Sequence, residues 1–166
     1  MAYYNRGVAS GAEGNYDRAI ADYTKTLEIK PRDAAAYFNR GVMWFNKGDP
    51  DQAINDYNKV LEINPRNATA YYNRGNAWGA KGDYDRAIEY YQKDLEITLK
   101  TLGRNHINVA TSFNNLGYVW HDKGNDDRAI GYFLEAHEVY SITLGKNHPQ
   151  TKTIKKTIDV LKTRRQ

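Results

Sequence analysis

Apolar and small residues recur along this chain with a helical period, not an alternating one. Tyr37, Gly41 and Trp44 stand at i, i+4 and i+7, and Tyr71, Gly75 and Trp78 repeat the set. Each triplet therefore shares one face of a helix. A Gly-Asp or Gly-Asn turn follows at Gly14-Asn15, Gly48-Asp49, Gly82-Asp83 and Gly124-Asn125, where glycine suits the left-handed conformation that ends a helix. A second helix then opens with Asp17, Asp51, Asp85 or Asp127, whose charge favours the positive end of the helix dipole. It continues with Ala19-Ile20, Ala53-Ile54, Ala87-Ile88 or Ala129-Ile130, and an aromatic residue stands four positions after each alanine: Tyr23, Tyr57, Tyr91 and Phe133. Pro31 and Pro65 close the first two helix pairs, because proline cannot continue a helix, while Pro50 suits a first turn.

The pairs are copies of one another. Asn5-Arg6-Gly7, Asn39-Arg40-Gly41 and Asn73-Arg74-Gly75 are spaced by 34 residues, and Asn115-Leu116-Gly117 follows 42 residues later. A fixed period of this size marks a stack of small units, each packed only on its neighbours. The mid-helix glycines Gly7, Gly41, Gly75 and Gly117 each cost about 1 kcal/mol relative to alanine. They are expected to let the second helix cross closely, with Ala19, Ala53, Ala87 and Ala129 as the facing residues. The third pair has Leu99 where a proline would end it, which predicts a second helix running through Leu102. From there the period lengthens: Thr101-Leu102-Gly103-Arg104-Asn105-His106 recurs as Thr143-Leu144-Gly145-Lys146-Asn147-His148. Beyond His148-Pro149, Ile154, Ile158 and Leu161 predict one more amphipathic helix, with Asp159 where the next glycine would stand.

This pattern resembles the tetratricopeptide repeat, and the 42-residue units resemble the extended repeats of kinesin light chains. The resemblance implies an all-α fold, an α-solenoid of four helix-turn-helix units plus a C-terminal capping helix. As a single domain it would divide into 1–33, 34–67, 68–109 with an extended second helix, 110–151 as an extended unit, and 152–166 as the basic cap. It also implies a concave groove lined by the first helices. Asn5, Asn39, Asn73 and Asn115 would then hold the backbone of an extended peptide, since a side-chain amide both donates and accepts. Tyr4, Phe38 and Tyr72, with Asn114 in the fourth unit, form a second row that either faces the ligand or packs between repeats. Val42, Asn76 and Tyr118 are expected further along the groove, with His121 deeper. A carboxylate clamp of the cochaperone type is not expected, because among Tyr4, Val8, Asn39, Thr69 and Asn73 only Asn39 matches it and no cation is present. Arg6, Arg40 and Arg74 are expected to pack their stems while the guanidinium reaches Glu28 or Glu62. Asp94 is expected either to bond the next first helix or to meet a donor of a partner.

Composition narrows the function class. The net charge of +4 is local: residues 151–166 carry a net of +5 and leave the rest at −1. That segment reads as a solvated cap or as an anionic docking patch. Cysteine is absent, so disulfides and thiolate chemistry are excluded. No run approaches the roughly 18 apolar residues of a membrane span, and the first repeat begins at once with no leader to remove, so a cytoplasmic protein is expected. His106, His121, His137 and His148 lie on different elements without metal-ligand spacing, and His106 and His148 are expected to tie off helix ends. No glycine-rich phosphate loop is present. The expectation is a non-enzymatic scaffold for a protein or peptide partner, with no cofactor, no metal, no small-molecule substrate and no preference for nucleic acid. The alternative is a self-assembly module that forms a homo-oligomer through the exposed first helix.

Overall fold

The computed structural model describes residues 2–164, and Arg165, counted in the basic segment above, lies outside them. The described residues form nine α-helices and no strand. They belong to two compact units, Met1–Gly82 and Asp83–Gln166. The first unit holds α1 (Ala2–Ala12), α2 (Tyr16–Ile29), α3 (Ala34–Asn46), α4 (Pro50–Ile63) and α5 (Ala68–Ala80). The second holds α6 (Tyr84–Leu102), α7 (Ile107–Asp122), α8 (Asp126–Thr143) and α9 (Pro149–Thr163).

Helix starts are set by local side chains. The carboxylate or amide oxygens of Asn15, Asp33, Asp49, Asn67, Asp83 and Asn125 each accept the N–H three residues on, satisfying a donor that the helix leaves open. His106 and His148 do the same two residues on, through Nδ1, at 3.1 and 3.3 Å. Pro50 sits in the first turn of α4.

Packing within each unit follows the apolar stripes. Ala36, Ala53, Ala70 and Ala77 are fully buried in the first unit, as are Ala110, Ala129 and Ala136 in the second. Small residues at these positions let neighbouring helices approach. Gly7, Gly41 and Gly117, however, face rings instead of the alanines expected above. A Cβ on Gly7 would lie 3.0 Å from the Tyr23 ring, one on Gly41 2.7 Å from Tyr57, and one on Gly117 2.5 Å from Phe133. Ala19 instead lies near Gly11, one turn along α1. Tyr23, Tyr57 and Phe133, four residues after Ala19, Ala53 and Ala129, reach one turn back along the facing helix, and each ring fills the notch the missing side chain leaves.

Three ion pairs that the sequence pattern did not announce link α2, α4 and α6 to the ends of α3, α5 and α7. Lys47 pairs with Asp17, Lys81 with Asp51 and Lys123 with Asp85. Each lysine also lies over a tryptophan on its own helix, Trp44, Trp78 or Trp120, at 5.5, 4.8 and 5.3 Å from the ring centroid. Such exposed pairs contribute little energy singly. Their repetition pins the register between neighbouring pairs.

Candidate protein-interaction surface

The predicted ligand residues take several different environments. In the first unit Asn5 is exposed on α1, while Asn39 on α3 and Asn73 on α5 are half-buried. Asn39 Nδ2 donates to the Tyr4 hydroxyl at 2.9 Å, joining neighbouring first helices. Asn73 Nδ2 donates to the Thr69 carbonyl of its own helix at 2.8 Å. In the second unit Asn115 is half-buried, and its Nδ2 is shut off from solvent with no hydrogen-bond partner among the described residues.

The aromatic row leans inward. Tyr4 meets Tyr23 edge-on at 5.7 Å, and Phe38 lies tilted on Tyr57 at 5.9 Å. Both rings are half-buried, as are Tyr72 and Asn114. Val42 packs on the core of Ala53, Ile54 and Tyr57, and Asn76 is half-buried. Tyr118 differs: it stands 43% exposed while meeting the buried Phe133 edge-on at 5.0 Å. It combines a free apolar face with a polar tip, the composition of many binding hot spots.

The arginines play the structural part expected of them, but with other partners. Arg6 Nε and Nη2 donate to both oxygens of Asp22 at 2.8 and 2.6 Å, and Arg40 forms the same fork on Asp56 at 2.8 and 2.7 Å. Arg40 also donates to Thr24 at 3.0 Å, as Arg74 donates to Asn58 at 2.6 Å. Glu28 and Glu62, the expected partners, are held by Lys25 and Lys59 on their own helices. The aspartates lie directly across the helix pair, within reach of a planar fork, whereas the glutamates sit farther along on the solvent side. Environment separates the two forks. Arg6 is half exposed, and its hydrogen bond holds the Asp22 carboxyl below the usual carboxylate range. Arg40 is only 20% exposed, and burial pushes the Asp56 carboxyl upward despite the fork.

Asp94 takes the first of its two expected roles. It is buried on α6, accepting from Ser112 Oγ of α7 at 2.6 Å and from Thr98 Oγ1 at 3.3 Å. No cation joins this node among the described residues. Burial raises the Asp94 pKa, and the two hydroxyl bonds oppose that only partly. An acid whose pKa is higher folded than unfolded takes up its proton preferentially in the folded state. Its contribution is thus unfavourable at neutral pH and is relieved as pH falls through the raised value. Asp94→Asn is therefore expected to stabilise the protein at pH 7, by on the order of 1 kcal/mol. That advantage shrinks on acidification. Thermal melts of both proteins across pH check it, and a variant less stable at neutral pH than the parent contradicts it.

Comparison with known proteins agrees with this architecture. Models of the tetratricopeptide repeat match residues 1–33, 34–67 and 66–140. No curated protein matches the chain. Among solved structures, MamA 41-end from Desulfovibrio magneticus RS-1 is similar in fold, with a TM-score of 0.73 at 23% identity over 82% of this chain and 73% of that one. A MamA RS-1 double mutant gives 0.72 at 23% identity, covering 82% and 72%. The fold is all-α, of the solenoid-like repeat class. With family models matching from residue 1 to residue 140 and helix pairs closing on the repeated glycines, this chain belongs to the tetratricopeptide-repeat family.

Proposed function

We propose that this chain is a non-catalytic interaction scaffold whose first helices hold an extended segment of a partner protein through side-chain amides. Asn5, Asn39, Asn73 and Asn115 supply the amides, and Tyr4, Phe38, Tyr72, Asn114, Val42, Asn76 and Tyr118 flank them. Membership of a family of protein-interaction repeats supports the general class. On this reading 68–109 and 110–151 act as extended repeats of the kinesin light chain kind. The site of action is cytoplasmic, and no helix among the described residues is long and apolar enough to cross a membrane.

One observation carries the reading. Asn115 Nδ2 is buried and lacks a partner, and a buried donor left unmade costs about 1–3 kcal/mol. Rotation of this half-buried side chain would bring the donor to the surface, where a backbone carbonyl of a bound peptide satisfies it. Asn39, already oriented by its bond to Tyr4, keeps its amide oxygen outside that bond for a peptide N–H.

Isothermal titration against a peptide selected from an immobilised library tests this. Asn115→Ala is expected to leave the free protein at least as stable as the parent, since the unmade donor is removed. The same change should weaken peptide binding about five- to tenfold, the loss of one hydrogen bond of roughly 1 kcal/mol. Unchanged affinity in an Asn39→Ala, Asn73→Ala, Asn115→Ala triple variant removes the amides from recognition.

A further inference from the structure

Helix α9 does more than cover α8. Its buried stripe of Thr151, Ile154, Ile158 and Leu161 is the cap expected of it. Its opposite stripe falls in the repeat register. At the 42-residue offset that relates His106 to His148, Lys156 takes the place of Asn114, Thr157 that of Asn115, and Val160 that of Tyr118. The positions assigned to peptide recognition thus continue onto α9 with changed chemistry: an amide becomes a hydroxyl, and a polar side chain becomes a cation.

Those positions border a cleft of about 270 Å³ between α7, α8 and α9. Phe133 and Leu161 form its buried floor, and Tyr118 and Val160, at 43% and 40% exposure, its apolar sides. Lys156 and Arg164 stand at its two ends along α9. Neither enters an ion pair among the described residues. His121 at the far wall is held through Nδ1 by Asp126 at 2.6 Å. Lys156, Val160 and Arg164 follow one another at i, i+4 and i+8, a strip that drifts by about 80° around the helix from first to last. With 1.5 Å of rise per residue, the cations are about 12 Å apart along the axis and the valine about 6 Å from each.

An extended chain matches that spacing. Residues i, i+2 and i+4 of a strand point the same way, at about 6.6 and 13 Å from the first. We infer that the α7–α9 cleft binds an extended peptide carrying an apolar side chain between two carboxylates, in the pattern acidic, any, apolar, any, acidic. The apolar side chain enters between Tyr118 and Val160, and the carboxylates meet Lys156 and Arg164. This inference rests on the groove reading above and names the partner class for one end of it.

The test is fluorescence anisotropy of the intact chain with a labelled Gly-Glu-Ser-Leu-Ser-Glu-Gly peptide, beside versions with Gln or Lys for Glu. Saturable binding of the acidic probe is expected, weakening as salt rises. Lys156→Glu with Arg164→Glu, both exposed, should cost about tenfold or more, and Tyr118→Ala should weaken binding in parallel. Asn39→Ala with Asn73→Ala, in the other unit, should leave the short probe unaffected. No saturable binding, or equal binding of the Gln probe, overturns the inference. If the charge reversal leaves the probe bound while the asparagine variants release a library peptide, the cleft assignment fails and the amide groove stands. If the reversal releases the probe while the asparagine variants change nothing, the amide reading fails and the cleft assignment stands. Phosphatidylserine vesicles and an oligothymidine serve as comparators. Tighter capture of either, indifferent to Tyr118→Ala, also overturns it.

Discussion

Gly117→Ala is expected to destabilise the second unit by about 2 kcal/mol, although alanine is the better helix former. The added methyl would stand 2.5 Å from both Cδ1 and Cε1 of Phe133. That ring is fully buried, with Tyr118 edge-on against it at 5.0 Å, so it has nowhere to swing. Overpacking of this kind costs about 1–3 kcal/mol and outweighs the roughly 1 kcal/mol that alanine gains in propensity. Gly131→Ala is the internal control. It lies in α8, where a Cβ would meet nothing within 4 Å, so the same substitution should stabilise by up to about 1 kcal/mol. Urea denaturation of the two variants beside the parent reads both signs. A Gly117→Ala protein as stable as its parent would show that the ring can yield, and the notch would lose its explanation.

Arg40→Ala is expected to cost more, about 3 kcal/mol at neutral pH. The substitution strands the Asp56 carboxylate, which is 4% exposed and otherwise lies among buried residues of α4. Removing one partner of a buried pair leaves an uncompensated charge, and that penalty exceeds the net value of the pair itself. The Arg40 stem and its stacking over Tyr37 at 5.6 Å are lost with it. The pH dependence identifies the cause. Burial already raises the Asp56 pKa with Arg40 in place, and loss of the cation raises it further. Protonation then favours the folded variant, so the deficit relative to the parent should narrow as pH falls. Arg40→Ala combined with Asp56→Asn should recover part of the loss at pH 7 for the same reason. Arg6→Ala should cost less, because Arg6 is itself half exposed and its removal opens the equally buried Asp22 to solvent. A deficit independent of pH would assign the whole effect to lost packing.

These expectations show what was legible before any coordinates. The spacing of Asn-Arg-Gly, the glycine turns and the alanine-aromatic pairs were enough to expect all-helical pairs at a family period, and the family match and the fold agree. Helix ends were legible where the signal is local, as at Pro50, His106 and His148. Contacts of reach and angle were not. That Gly41 receives Tyr57 and not Ala53 depends on how far the second helix is displaced along the first, and the linear pattern does not encode that offset. Arg40 could be read as a structural cation, yet whether it finds Asp56 or Glu28 is settled by side-chain direction across the pair. The staples between Lys47 and Asp17 or Lys81 and Asp51 escaped for a different reason. Charged residues abound at helix ends, and only the stacking of neighbouring pairs selects which two meet.

For the candidate site the division is sharper. Periodicity alone brought the asparagines to one position in every first helix, because residues at equal offsets in identical units must occupy equivalent places. Their environments are not equivalent: Asn5 is exposed, Asn39 is tied to Tyr4, and Asn115 has a buried amide without a partner. The chain itself determined the repeated two-helix unit, since that follows from local hydrophobic period, turn glycines and caps. Burial of Asp56 and Asp94, the rings seated against Gly7, Gly41 and Gly117, and the cleft beside α9 were decided only by tertiary packing, because solvent exclusion and charge pairing arise between elements and not within them.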